Sequence, residues 1–155
     1  MAFQNSQAIL IEYEKTKKPE LLPKIRSIKD DCQGAIDTWL LKLHSIDDAS
    51  PIRPVLLMAL SMIYRMLGGV HMYLTEYSNA KSCYKSAIEL GEELGETSEV
   101  VQSLNNLGLI EMEQHNPAEA ARFFRMAKDR LDNKTDREFG ATIRKNLKIA
   151  ESTIE

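Results

Sequence analysis

Between residues 20 and 45 apolar side chains return every three or four positions: Leu21, Leu22, Ile25, Ile28, Cys32, Ala35, Ile36, Trp39, Leu40 and Leu43. That spacing collects them on one face of a helix. The stripe predicts about 38 Å of helix at 1.5 Å per residue, unless it bends near Gly34. Ahead of it, Ser6 to Lys15 predicts a shorter helix with Ile9, Leu10 and Tyr13 inward, set apart by Lys17-Lys18-Pro19. Residues 52–73 are apolar on nearly every side, from Val55 through Met62 and Met66 to Met72. A helix of that kind is packed on several faces and belongs in the centre of the molecule.

The remaining chain is punctuated by helix start and stop signals. Ser50-Pro51 can open the central helix, with a serine cap and proline in the first turn. Leu74-Thr75-Glu76 breaks the pattern before a helix over 77–94, where Ala80, Cys83, Tyr84, Ala87, Ile88 and Leu94 face inward. Gly95 can end that helix in the left-handed conformation, and Thr97 or Ser98 can cap the next, which runs to about Gln114. Asn116-Pro117-Ala118-Glu119 restarts a helix over 117–131. Thr135-Asp136-Arg137-Glu138 has the form of a capping box that opens a final helix to about Thr153. The expected fold is all-α: about seven helices in one domain over 1–155, joined by short connections.

The sequence also repeats itself at a shift of 40 residues. Leu67-Gly68 matches Leu107-Gly108, Met72 matches Met112, Ala80 matches Ala120 and Ala87 matches Ala127. Tyr64 pairs with Leu104, and Tyr84 with Phe124. Small residues at close helix crossings with large ones between them are what ridge-into-groove packing needs. The expectation is that Gly68 and Gly108 make room for the facing Ala80 and Ala120, and that Tyr84 and Phe124 fill the larger hole one turn later.

A large residue, then leucine-glycine, then alanine, aromatic and alanine on a second helix resembles the tetratricopeptide repeat family. The residues that carry the resemblance are Tyr64, Leu67, Gly68, Ala80, Tyr84 and Ala87, followed by Leu104, Leu107, Gly108, Ala120, Phe124 and Ala127. It covers two repeats over 61–133, with a period longer than the usual 34 residues. The family's usual proline after the second helix is missing from both copies. A third copy is only half present: Asn146-Leu147 matches Asn106-Leu107, but Lys148 stands where the small residue should be. The segment 135–154 therefore reads as a capping helix with Phe139, Ile143, Leu147, Ala150 and Ile154 inward. The helices at 20–45 and 51–73 are expected to form a degenerate pair closing the other end.

The resemblance implies an antiparallel helix-pair array, a TPR-like α-solenoid, whose first helices line a groove. Carried over by motif position, the groove residues are Met62, Arg65, Gly69, Met72 and Tyr73, then Gln102, Asn105, Leu109, Met112 and Glu113, with Lys145 from the last helix. Methionine adapts to varied apolar partners, and Arg65 or Lys145 can hold a carboxylate. Some family members clamp a terminal carboxylate with lysine, asparagine and arginine; here Gly69 occupies the asparagine's place.

Composition narrows the function classes. Apolar residues make up 43% of the chain, charged residues 28% and aromatics 6%, with few glycines and prolines, which favours helices over a sandwich or barrel. The net charge of −3 gives no basic footprint for a nucleic acid. Residues 55–73 are interrupted by Arg65, Gly68-Gly69 and His71, short of an uninterrupted membrane span. Met1 to Ser6 is polar and does not open a signal peptide. Cys32 and Cys83 lack metal spacing and read as free, buried thiols of a reducing, cytoplasmic compartment. His44, His71 and His115 are scattered, and the chain has no phosphate loop, serine elbow or metal motif. The expected protein is non-catalytic and needs no cofactor. It binds a protein or peptide as an adaptor or scaffold, with a small secretion chaperone, a bacterial-type signalling regulator or a structural homodimer as alternatives.

Overall fold

A computed structural model describes Ala2–Ile154, with side chains from Asn5 onward. Seven long helices follow one another: α1 (Ala2–Thr16), α2 (Leu22–His44), α3 (Arg53–Tyr73), α4 (Tyr77–Leu94), α5 (Thr97–Glu113), α6 (Pro117–Asp129) and α8 (Ala141–Ile154). A single turn, α7 (Asn133–Thr135), and a π-helical turn (Asp136–Gly140) lead into α8. No strand occurs among the described residues. Each long helix packs on the next, while α3 also touches α5 and α5 touches α8. That is the contact pattern of an array in which α3, α5 and α8 form one row and α2, α4 and α6 the other.

The pairing corrects the expected N-terminal unit. The motif pairs α3 with α4 and α5 with α6, so α3 cannot also be the second helix of a pair with α2. The preceding unit is α1 with α2, and α1 stands at the head of the row that α3 and α5 continue. Ile25, Ile28, Cys32 and Ile36 of α2 are buried against Leu60, Ile63, Leu67 and Val70 of α3, with Leu10 of α1 in the same cluster. By length and composition α3 qualifies as a membrane span, but half of it is buried inside the protein. Its place between α2 and α4 accounts for its apolar character.

The three turns that join α3 to α4, α4 to α5 and α5 to α6 share one geometry. Thr75, Gly95 and His115 lie at φ 59°, 68° and 60°. In each turn the left-handed residue donates three positions back and the next residue five back, as in Glu76 N–H to His71 O at 2.9 Å and Asn116 N–H to Glu111 O at 2.8 Å. This is the Schellman ending, which ties down otherwise unpaired carbonyls.

Several expected caps are replaced. α3 starts at Arg53 with Pro54 in its first turn, and Ser50 serves only a preceding backbone turn. α5 has no side-chain cap from Thr97 or Ser98. Asn116 turns its amide to Glu111 instead of capping α6. The capping box forms one turn early: Asp132 accepts from Thr135 N–H at 2.8 Å, and Thr135 Oγ1 accepts from Asp132 N–H at 2.9 Å. Asp132 wins because a carboxylate accepts these amide bonds more strongly than a hydroxyl.

Gly68 and Gly108 do not face alanines. A Cβ on Gly68 would lie 2.9 Å from the Tyr84 ring, and one on Gly108 closer still to the Phe124 ring. Each leucine-glycine step is the seat of the aromatic from the second helix, while Ala80, Ala87, Ala120 and Ala127 are fully buried around it. At the C-terminal end Ile143, Leu147 and Ala150 are buried, whereas Ile154 is exposed and does not join them.

Candidate functional site

A cleft of about 900 Å³ lies along α3 between α1 and α5. Its floor is Ala59, Met62, Ile63, Met66, Gly69 and Met72. Gln7, Leu10, Tyr13, Glu14 and Lys17 of α1 form one wall, Asn106, Leu109 and Glu113 of α5 the other, and Trp39 of α2 closes a corner. Seven of the expected groove residues meet here: Met62, Arg65, Gly69, Met72, Tyr73, Leu109 and Glu113.

Four do not. Asn105 accepts a 2.9 Å hydrogen bond from Asn146, which bridges α5 to α8. Gln102 donates to Ser98 on its own helix. Met112 packs into the cluster of Ala120, Ala121, Phe124, Leu147 and Ala150 under the cap. Lys145 is exposed on α8, outside the cleft. Asn105 and Met112 thus meet the capping helix, and the cleft reaches no residue of α8.

Arg65 is also committed elsewhere. Its guanidinium holds Glu99 through Nε–Oε2 at 2.8 Å and Nη2–Oε1 at 3.3 Å, a two-pronged pair joining α3 to α5. Glu99 is buried, and Arg65 is the cation that compensates it. The role assigned to Arg65 as a free carboxylate holder therefore gives way to a structural one. Methionine at 62 is 49% exposed, so it is cleft surface; Met66 and Met72 are half-buried.

The end of the cleft near Tyr73 is built from α1 residues that motif carry-over could not reach. Tyr13 meets Tyr73 edge-on with ring centroids 5.7 Å apart, and the Lys17 ammonium lies 5.6 and 5.7 Å from the two centroids. Tyr73 donates to Glu14 at 3.3 Å. Burial first, then the Glu14 charge and this hydrogen bond, push the Tyr73 phenol up to about 12, so it stays a donor at neutral pH. The available signal was the expected inward face of Ile9, Leu10 and Tyr13, which placed α1 against the array without saying where.

Behind the floor, Tyr84 reaches through the glycine step. Its hydroxyl donates to Met72 sulfur at 3.3 Å and lies against the Asn106 amide. A Cβ on Gly69 would come no nearer than 3.7 Å to that hydroxyl. Burial pushes the thiols of Cys32 and Cys83 up to about 11, so neither is a nucleophilic thiolate at neutral pH. His71 is buried on Glu76, His44 touches the Leu40 carbonyl, and His115 is exposed in its turn.

An array of helix pairs with a cleft along the row of first helices defines a class of interaction domain. Residues 59–133 match the family model described as tetratricopeptide repeat, which supports assigning these repeats to that family. The family's repeats form protein–protein interaction modules and a non-catalytic scaffold. No curated protein and no solved structure matches the chain.

Proposed function

We propose that this protein is a non-catalytic adaptor that binds a peptide or partner helix in the cleft along α3. The observation that carries the reading is the cleft floor: an apolar strip with Met62 half-exposed and Gly69 leaving a notch, walled by helices on both sides. Concave apolar surface with a few placed polar groups is the ordinary form of a binding site, and methionine suits a partner surface that must adapt. Two free, buried cysteines support a reducing compartment such as the cytoplasm.

The test compares pull-downs from the native host using wild type, Met62→Glu and Lys85→Glu, the last an exposed α4 position outside the cleft. A partner held by wild type and Lys85→Glu but lost with Met62→Glu is expected. Retention of every partner by a folded Met62→Glu protein rules out the cleft.

A further inference from the structure

The two walls of the cleft are fixed to very different degrees. α5 buries Val100, Val101, Leu104, Leu107 and Ile110. Arg65 ties it to α3 through the two-pronged pair with buried Glu99, and Asn105 ties it to α8 through Asn146. α1 is attached lightly. Of residues 5–16 only Leu10 is buried; Ile9 and Tyr13 are partly so, and Ile11 is exposed. The last turns of α1 meet α3 at the surface. There the Tyr13 ring stands edge-on to Tyr73, the Lys17 ammonium lies beside both rings, and the Tyr73 phenol donates its exposed 3.3 Å bond to Glu14.

The joint behind α1 is suited to turning. Lys17 lies at φ 52°, a left-handed conformation that costs a non-glycine residue energy, and its N–H closes the helix on the Tyr13 carbonyl at 2.7 Å. Lys18 is extended ahead of Pro19, the conformation that a residue before proline favours. Firm packing begins after this step. Leu21 is buried, and α2 sinks Ile25, Ile28, Cys32 and Ile36 into the core. The cluster that Leu10 joins is otherwise built by α2, α3 and Cys83 of α4.

We infer that α1 is a hinged wall. It swings away as a unit about Lys17 and Lys18 while α2 to α8 stay folded, so that the cleft alternates between the closed form of this structure and an open one. Tyr13, Glu14 and Tyr73 are its latch. Local opening belongs to elements with few buried apolar contacts and solvent-exposed ties, and α1 has both properties where α5 has neither. Once undocked, a helix of 15 residues is marginal in water and unwinds, so each opening leaves a trace in amide exchange. The inference concerns α1 itself and holds whether or not a partner enters the cleft.

Hydrogen exchange of the full chain, followed amide by amide in NMR spectra, tests it, with circular dichroism confirming that each variant keeps its fold. The amides of residues 9–16 are expected to exchange as one group, about 100-fold or more faster than the core amides of α3 and α5 after correction for intrinsic rates, and with little response to low denaturant. Leu10→Ala should speed that group about tenfold or more. Tyr73→Phe, which keeps the ring and removes the bond to Glu14, should speed it about threefold. The amides of α5 should keep their protection in both variants. Protection of α1 equal to that of α3, or lost by α1 and α5 together in Leu10→Ala, makes α1 part of one cooperative unit and overturns the hinge. Protection that climbs steadily from residue 9 to the level of α3 at residue 16 is fraying and overturns it as well. An α1 group indifferent to Tyr73→Phe overturns the latch. A pull-down in which Met62→Glu keeps every partner sinks the cleft as a binding site and leaves these rates untouched.

Discussion

In the first repeat the Schellman turn between helices is held by His71, Glu76 and Lys29; in the second it is held by Glu111, Asn116 and Lys81. The positions correspond one for one along the chain, 71 with 111 and 76 with 116, but acid and partner have changed places. Glu76 accepts from His71 Nδ1 and from Lys29 Nζ of α2 at 3.1 Å. Glu111 accepts from Asn116 at 3.1 Å and pairs with Lys81 of α4. In both cases a carboxylate at the turn joins the end of one first helix to the second helix of the preceding unit. What the array preserves is the position of a buried-edge hydrogen-bonded cation–carboxylate link, and either side of the turn can carry the acid. The aromatic seats differ in the same spirit: Tyr84 reaches the cleft with a hydroxyl, whereas Phe124 ends in an apolar cluster under the cap.

The largest effect is expected at the glycine seats. Gly108→Ala places a methyl into the Phe124 ring, and overpacking of this kind costs about 1–3 kcal/mol. Both substitutions recover about 1 kcal/mol of helix propensity, but Gly68→Ala meets the Tyr84 ring less severely, so its net loss is smaller. Denaturant melts of the two variants should rank them in that order, and equal losses would mean that the two seats are packed alike.

Next come the turn acids. Glu76→Ala strands His71 and Lys29 together and should cost about 1–3 kcal/mol, whereas Asn116→Ala leaves Glu111 paired with Lys81 and should cost under about 1 kcal/mol. The hydrogen bond from His71, followed by the Lys29 bond and charge, holds the Glu76 carboxyl below its usual range. Its contribution is therefore complete above about pH 4.3 and is lost as pH falls through the lower folded value. Glu76→Gln should flatten that part of the acid limb in urea melts taken between about pH 2 and 6. An unchanged acid limb would place the pH sensitivity elsewhere.

A smaller gain is expected from Thr75→Gly, because a β-branched residue at φ 59° is strained where glycine is not. Thermal melts should show about 0.5–1 kcal/mol of stabilisation, and less for His115→Gly, since histidine tolerates this region better. Ser103→Ala should be the mildest. Ser103 Oγ is the one buried side-chain polar atom without a hydrogen-bond partner among the described residues, so its removal should leave stability equal or raise it by up to about 1 kcal/mol. A clear loss would reveal a partner for that hydroxyl.

The helices, their order and the two repeats were legible in the chain because they rest on local periodicity and on small residues at spacing-sensitive positions. Leu67-Gly68 and Leu107-Gly108 identified the crossings, although not that an aromatic sits in them. About a third of the cleft lining was legible by the same route, because Met62, Gly69, Met72 and Leu109 stand at positions the motif fixes. The α1 wall was not, since Tyr13 and Lys17 belong to a unit without the motif. Nor was the commitment of Arg65 to Glu99, two residues 34 positions apart whose helices meet only on folding.

The cleft floor on α3 shows the division most clearly. Ala59, Met62, Met66 and Gly69 follow one another at three or four residues in the sequence, but residues 52–73 are apolar on almost every side, so periodicity alone could not separate this stripe from the others. Sequence by itself determined that α3 is a central helix of a tetratricopeptide-type array. Only the tertiary structure decided which of its faces remained uncovered, because burial depends on the neighbours a helix receives. Here α2, α4 and α5 took the other faces, and α8 packed beyond α5 against α6.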